Sequence, residues 1–145
     1  MRMRSPLFAF GALVLLAIGC NSRPRLEPVE GTVLHKGKAA GGVLVTFHPK
    51  TGDPVTAVRP TGLTDAEGKF TLMTGPDQGA PAGEYAVTFL WSIEVTPKKA
   101  SKKIDMNMNV ETKDGLDGAY INAANSKFKV DVKRGENKLE PFRLE

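Results

Sequence analysis

The chain has 145 residues, with 20 Lys and Arg against 16 Asp and Glu for a formal net charge of +4, and it contains one cysteine. This length suits a single domain, and so small a charge excess gives no argument for nucleic acid as a partner. One cysteine excludes an intramolecular disulfide, so a hydrophobic core must stabilise the fold.

The first predicted element is a signal peptide over residues 1–19. Arg2 and Arg4 form a positive start without an acidic residue, and residues 7–18 carry no charge. A helix that spans a membrane needs about 20 apolar residues, and this run is shorter. A positive start, a short apolar run and a small residue before the cleavage point are typical of a secretory signal peptide.

The end of this run, Ala17-Ile18-Gly19-Cys20, resembles the lipobox of bacterial lipoproteins. In that class of signal the thiol receives a diacylglyceryl group, signal peptidase II cuts before it, and the new amino terminus is usually acylated. The resemblance implies lipidation of Cys20 and a membrane anchor, since each buried methylene of an acyl chain contributes about 0.8 kcal/mol. The alternative is a signal peptide that is cut elsewhere, with Cys20 as an apolar residue.

Cleavage before Cys20 would leave residues 20–145. Arg2 and Arg4 would be lost from the 20 basic residues, which leaves 18 against 16 acidic ones and a net charge of +2. Asn21 replaces the Asp that often retains lipoproteins on the inner membrane, so resemblance to that sorting rule favours the outer membrane. We expect residues 20–27 to be the lipidated cysteine and an extended, mobile tether.

From residue 28 onward the apolar residues alternate with period two, as in β-strands, and turn residues separate the runs. The expected strands are Val29–Leu34, Val43–His48, a weaker one at Val55–Val58, then the runs around Phe70, Tyr85–Trp91, Phe128–Val132 and Leu139–Leu144. No helical pattern is evident after the signal peptide. The sequence therefore predicts one all-β domain over residues 28–145, with two packed sheets.

Three segments, VEGTVLHKGKAAGGVLVTF, TDAEGKFTL and GAPAGEYAVTF, resemble motifs of carboxypeptidase regulatory-like domains. The similarity covers residues 28–92, and the final segment resembles the end of small bacterial lipoproteins that carry this domain. The resemblance implies a seven-stranded Ig-like or prealbumin-like (transthyretin-like) β-sandwich that accompanies enzymes without being catalytic. Neither His35 nor His48 begins the zinc-peptidase pattern His-x-x-Glu, so we expect no catalytic residue.

Several residues of these motifs have expected structural roles. Gly31 leaves room for a close approach of a neighbouring chain. Asp65 accepts hydrogen bonds from turn amides, and Gly68 takes a positive φ that closes the same turn. Asn137 is expected to cap the turn before the last strand in a similar way.

The stretch 92–126 is predicted to be a polar excursion from the sandwich, with Val95 and Met106–Val110 as candidate edge strands. It contains Lys98, Lys99, Lys102 and Lys103, which could contact anionic lipid or acidic glycan. Trp91 and Tyr120 flank it and could form a sugar-binding platform. The alternatives are a solvated lysine-rich loop and a Trp91 that packs in the core, in phase with Val87 and Phe89.

Two groups of possible metal ligands are incomplete. Asp65 and Glu67 resemble part of a calcium loop, but calcium takes six or more oxygen ligands. Met106 and Met108, with His35 and His48, could hold Cu(I) through soft ligands, but no Met-x-x-Met repeat or His cluster accompanies them. We therefore expect no metal and no other cofactor.

Taken together, these patterns predict a lipid-anchored envelope protein that presents a non-catalytic β-sandwich for binding or structure. The expected partners are the membrane, through the lipid, and an envelope glycan or protein. A glycan-binding module that uses Trp91 and Tyr120, and a periplasmic metal-binding protein, remain the alternatives. The oligomeric state is left open by the sequence.

Overall fold

The structure is a computed structural model that describes residues 24–53, 55–95 and 111–145. These residues form strands and turns with one short 3₁₀ helix, so the predicted all-β class is confirmed. The predicted signal peptide, Cys20, and the lysine and methionine residues between 98 and 108 lie outside the described residues. No helix in the described ranges is long and apolar enough to cross a bilayer.

The resemblance implies seven strands, whereas the described part of the chain contains fourteen strand segments. Six of these segments have only two residues. The strands are β1 (Leu26–Glu27), β2 (Val29–His35), β3 (Lys38–Ala39), β4 (Val43–Pro49), β5 (Thr61–Leu63), β6 (Lys69–Thr71), β7 (Met73–Thr74), β8 (Asp77–Gln78), β9 (Ala80–Pro81), β10 (Gly83–Val95), β11 (Glu111–Asp114), β12 (Lys129–Val132), β13 (Asn137–Lys138) and β14 (Phe142–Leu144). The 3₁₀ helix, η1, spans Ala123–Asn125.

The larger sheet is built around β10, the longest strand. β4 pairs antiparallel with it from Tyr85 opposite Pro49 to Trp91 opposite Val43. β5, β7 and β8 extend the sheet beyond β4. β12 pairs with the start of β10 and β11 pairs with its end.

The smaller sheet is built around β2. β6 and β3 pair antiparallel with one edge of β2, while β13 and β14 pair in parallel with the opposite edge. A short ladder between β1 and β9 joins the start of the domain to the segment before β10.

The core lies between the two sheets, where the buried residues follow the period-two alternation of the strands. Phe89 of the larger sheet meets Phe142 of the smaller one with ring centroids 5.2 Å apart, and Phe128 lies 5.3 Å from Phe89. Phe70, Tyr85 and Phe142 are buried as well. The alternation read from the sequence therefore places the core correctly.

The predicted turn and close approach are both confirmed. Asp65 Oδ1 accepts hydrogen bonds from the N–H groups of Glu67 (3.0 Å) and Lys69 (2.8 Å). Gly68 has a φ of +73°, and a Cβ on Gly31 would lie 2.6 Å from Phe70 Cζ. This turn carries the chain from β5 in the larger sheet to β6 in the smaller one.

The cap at Asn137 is also confirmed. Its Oδ1 accepts from the N–H of Lys133 at 2.9 Å, and its Nδ2 donates to the carbonyls of Lys133 and Gly135 at 2.8 Å. The side chain therefore closes the turn between β12 and β13.

The strand predicted at Val55–Val58 is wrong. Asp53 folds this segment into a turn, since its carboxylate accepts from the Val55 N–H and its carbonyl accepts from the Ala57 N–H. Val55 is 87% exposed and Val58 is 58% exposed. The valines thus have strand propensity but no sheet to pack on.

The boundaries of the tether and of the excursion also need correction. Leu26 and Glu27, predicted within the tether, form β1, and Glu27 is only 2% exposed. At the other boundary β10 continues to Val95 and pairs with β11. Leu116 is buried at 5% exposure, so both ends of the 92–126 stretch belong to the fold.

Candidate functional site

Trp91 lies at the point where β10 leaves β4. Its Nε1–H donates to the Gly41 carbonyl at 3.0 Å, and its ring meets His35 edge-on with centroids 5.3 Å apart. A Cβ on Gly115 would lie 3.1 Å from Trp91 Cε3, so the backbone there also packs against the indole. These contacts are the ones expected of a half-buried packing residue.

Tyr120 lies further along the same edge of β10, where its carbonyl accepts from the Phe89 N–H. Its hydroxyl accepts from the Glu145 N–H at 3.0 Å, and Lys127 Nζ lies 5.5 Å from the ring centroid. The depression beside it holds only about 120 Å³, below the roughly 300–1,000 Å³ of typical ligand pockets. None of the ring contacts among the described residues joins Tyr120 to Trp91.

Asp114 holds the base of the hairpin formed by β10 and β11. Its Oδ1 accepts from the N–H groups of Trp91 (3.1 Å) and Leu116 (3.0 Å), and its Oδ2 accepts from Gly118 (2.8 Å). Burial raises the pKa of Asp114, but these three backbone donors outweigh burial and the pKa is lowered. The turn that leads to Tyr120 is therefore fixed to β10 by an ionised carboxylate.

A groove of about 600 Å³ lies on the outer side of the smaller sheet. Its floor follows the register of β2 and β6, where Glu30 lies opposite Thr71 and Thr32 lies opposite Lys69. Lys138 flanks Glu30 from β13 on the other side. No signal in the sequence indicates this groove, because its walls come from segments about forty and a hundred residues apart.

The groove combines several kinds of polar group with apolar rims. It presents the ammonium groups of Lys69 and Lys138, the carboxylate of Glu30 and two threonine hydroxyls, while Leu63 and Leu139 supply apolar edges. The Lys138 ammonium also pairs with Glu136 at 3.5 Å. Asp65 also lines it, but its Oδ1 is held by the turn amides. Such a lining suits a polar ligand that makes many hydrogen bonds.

Among the candidate metal ligands that the structure describes, His35 and His48 lie in different places. His35 lies against Trp91, whereas His48 Nε2 is hydrogen-bonded to Thr88 Oγ1 at 2.8 Å on the outer face of the larger sheet. Within residues 24–53, 55–95 and 111–145, no group of three His, Cys, Asp or Glu side chains is placed to hold a metal ion.

Comparisons of the chain with models of protein families, with curated proteins and with solved structures found no match. Any proposal about its function therefore depends on the motifs of the chain and on the surfaces of the sandwich.

Proposed function

We propose that the protein is a lipid-anchored, non-catalytic module of a bacterial cell envelope. The observation that carries the proposal is the position of Cys20, which ends the apolar run and precedes the first strand by only five residues. An extended chain spans at most about 3.6 Å per residue, so lipid on Cys20 would hold β1 within roughly 20 Å of the bilayer.

The attachment of β1 to the sandwich supports this role. The Glu27 carboxylate is paired with Arg25 Nε at 3.1 Å and accepts from the Gly135 N–H at 2.8 Å. Removing one partner from such a buried arrangement is costly. Glu27, which directly follows the tether, is thus hydrogen-bonded to the turn between β12 and β13.

The direction of β10 indicates which end of the sandwich would face the membrane. β1 pairs with β9, directly before β10 begins, and the hairpin of β10 with β11 lies at the opposite end. Thirteen residues of strand span about 40 Å. β10 ends at Val95 and β11 begins at Glu111 at that distal end.

Glycan binding is the second candidate, and the groove is the observation that favours it. The groove offers hydroxyl, carboxylate and ammonium groups within one cleft of about 600 Å³. Trp91 and Tyr120, proposed from the sequence for this purpose, are engaged with Gly41 and Glu145. No observation on the described residues favours the metal-binding alternative.

The anchor is tested by replacing the thiol. Wild-type protein, a Cys20→Ser variant and a Ser22→Ala control are expressed with a metabolic label for fatty acids, and their intact masses are measured. We expect lipid mass on the wild type and the control and none on Cys20→Ser. A wild-type mass without lipid contradicts the proposal, whatever fraction of the cell the protein occupies.

A further inference from the structure

β12 is an edge strand of the larger sheet, since among the described residues it pairs only with β10. The carbonyl of Phe128, directly before β12, accepts from the Val87 N–H of β10 at 2.9 Å. Along an antiparallel strand, the backbone groups of successive residues point to opposite sides. The even-numbered residues of β12 therefore bond to β10, and the N–H and C=O groups of Lys129 and Asp131 point away from it.

This edge is closed at one end by the Asn137 cap. The Asn137 side chain accepts from the Lys133 N–H at 2.9 Å and donates to the Lys133 carbonyl at 2.8 Å. At Lys129 and Asp131 no described strand pairs with the edge, which borders a concavity of about 400 Å³ between β12 and residues 139–142. Two N–H and two C=O groups are thus available to a second strand.

The side chains along the edge are complementary to those of a second copy. Lys129 and Asp131 are exposed, and no ion pair among the described residues includes either of them. They lie on either side of Val130, which packs against the core. Two copies of β12 that pair antiparallel about Val130 bring Lys129 of each copy opposite Asp131 of the other.

Only this register satisfies both the backbone groups and the charges. The Lys129 N–H bonds to the Asp131 carbonyl of the second copy and the Asp131 N–H to its Lys129 carbonyl, so four hydrogen bonds use all the available groups. A shift by one residue opposes these groups to ones that already bond to β10. A two-fold axis at Lys129 or at Asp131 places like charges opposite each other, which is destabilising.

The contact is small, and its flanking charges are repulsive. The register also places Lys127 opposite Lys133 of the second copy, beyond the last hydrogen bond. Lys127 Nζ lies over the rings of Tyr120 and Phe128, 5.5 and 5.9 Å from their centroids. Stable interfaces bury about 1,200–2,000 Å², whereas this contact joins one short strand to another, so we expect a weak, reversible dimer.

We propose that two copies of the chain associate through β12, so that the larger sheet continues from one copy into the other. β12 pairs with the first residues of β10, next to β9 and β1, so both tethers would begin near the middle of the dimer. This inference goes beyond the lipid anchor and the groove, because neither Cys20 nor Lys69 takes part in the contact.

The first test reverses the charges of the edge. Full-length protein in an excess of non-ionic detergent micelles is diluted from millimolar to low micromolar concentration, and the amide NMR signals of β12 are followed. We expect these signals to shift with concentration and to give one dissociation constant. Lys129→Asp and Asp131→Lys each oppose like charges and should weaken association at least fivefold. The double variant Lys129→Asp/Asp131→Lys opposes unlike charges again and should associate as the wild type does.

Two control variants make the same charge changes away from β12. Lys38→Asp lies on β3 of the smaller sheet, and Asp77→Lys lies on β8, at the opposite edge of the larger sheet. Both residues are exposed. We expect each control to associate as the wild type does, because neither residue takes part in the contact.

The second test reads the register with disulfides. Directly opposed residues of a hydrogen-bonded antiparallel pair have Cα atoms about 5.5 Å apart, within the range of a disulfide. A mixture of Lys129→Cys and Asp131→Cys proteins should therefore cross-link under mild oxidation. Either protein alone should cross-link far less, since identical residues are diagonal neighbours about 7–8 Å apart. The masses of the linked peptides distinguish this bond from any bond to Cys20.

Four results contradict the proposal. Signals of β12 that do not change with concentration show that the edge does not associate. A double variant that associates as weakly as the single ones excludes the pairing of Lys129 with Asp131. Controls that weaken association as strongly as the edge variants show that net charge governs it. Equal cross-linking in the mixed and the separate samples excludes the register about Val130.

Discussion

Glu27 and Gly135 lie 108 residues apart in the chain, and a hydrogen bond of 2.8 Å joins the Gly135 N–H to Glu27 Oε2. Glu27 is 2% exposed whereas Gly135 is exposed, so the bond lies at the border between the core and the surface. It connects the first strand of the domain to the turn between β12 and β13. The N-terminal strand is thus held by a side chain as well as by its two-residue ladder with β9.

Replacing Glu27 by Ala should therefore destabilise the domain. The substitution removes the buried carboxylate that accepts from the Gly135 N–H, and the loss of a hydrogen bond to a charged group costs about 1.5–3 kcal/mol. Urea unfolding monitored by Trp91 fluorescence measures the loss.

Glu136→Ala is the matched control, because Glu136 lies in the same turn as Gly135, is largely exposed and pairs with Lys138 at 3.5 Å. An exposed ion pair contributes about 0–1 kcal/mol. Equal losses for the two variants would show that the buried bond does not secure β1.

Asp114→Asn should loosen the base of the β10–β11 hairpin. The amide nitrogen that replaces one carboxylate oxygen cannot accept from a backbone N–H, so at least one of the three donors loses its partner. We expect a loss of about 1–2 kcal/mol at pH 7. Asp117→Asn, at an exposed residue that pairs with Lys113, is the control and should cost less than half as much.

The loss at Asp114 should also depend on pH. Its pKa is lowered in the folded protein, so the ionised form adds stability above the unfolded-state pKa of about 3.9. That contribution disappears as pH falls from there through the folded pKa. Midpoints of thermal unfolding for wild type and Asp114→Asn should therefore converge below about pH 4. A gap that stays constant between pH 7 and pH 3 would contradict this account.

Local chemistry explains which parts of the fold were predictable. The Asp65–Gly68 turn and the Asn137 cap depend on groups within four residues of each other, and both were predicted from sequence. The close approach at Gly31 is predicted from the motif that contains this glycine. The alternation of Tyr85, Val87 and Phe89 indicates that one face of this strand is buried, and this inference does not require the position of the other sheet to be known.

The wrong predictions concern segments whose structure depends on residues outside the segment itself. Nothing near Glu27 in the sequence indicates Gly135 as its partner, so the sequence predicts a tether where the structure has β1. Val55 and Val58 resemble a strand until Asp53 is seen to close a turn. The groove needs residues from several strands at once, and no spacing within one segment predicts it.

Gly68→Ala should be among the most damaging single substitutions in the domain. Gly68 has a φ of +73°, and its missing Cβ faces the backbone of Val33 and Ala40 in the smaller sheet. Gly37→Ala separates the two effects, because Gly37 has a φ of +78° but open space around it. The left-handed conformation alone costs about 1–2 kcal/mol, so Gly68→Ala should lose clearly more than Gly37→Ala in urea unfolding. Similar losses would mean that the close approach at Gly68 relaxes without cost.

If the groove binds glycan, the protein should bind an acidic polysaccharide more tightly than a neutral one. Lys69 and Lys138 border the groove, so the double variant Lys69→Gln/Lys138→Gln should migrate faster than wild type in native gels that contain alginate. Each charge-assisted hydrogen bond contributes about 1.5–3 kcal/mol, so the loss of two should weaken binding at least tenfold. Lys129→Gln/Lys133→Gln removes the same charge away from the groove and is the control. Dextran, which has no carboxylate, should retard neither variant. If the control pair weakens alginate binding as strongly, the retention reflects net charge and the groove is not the site.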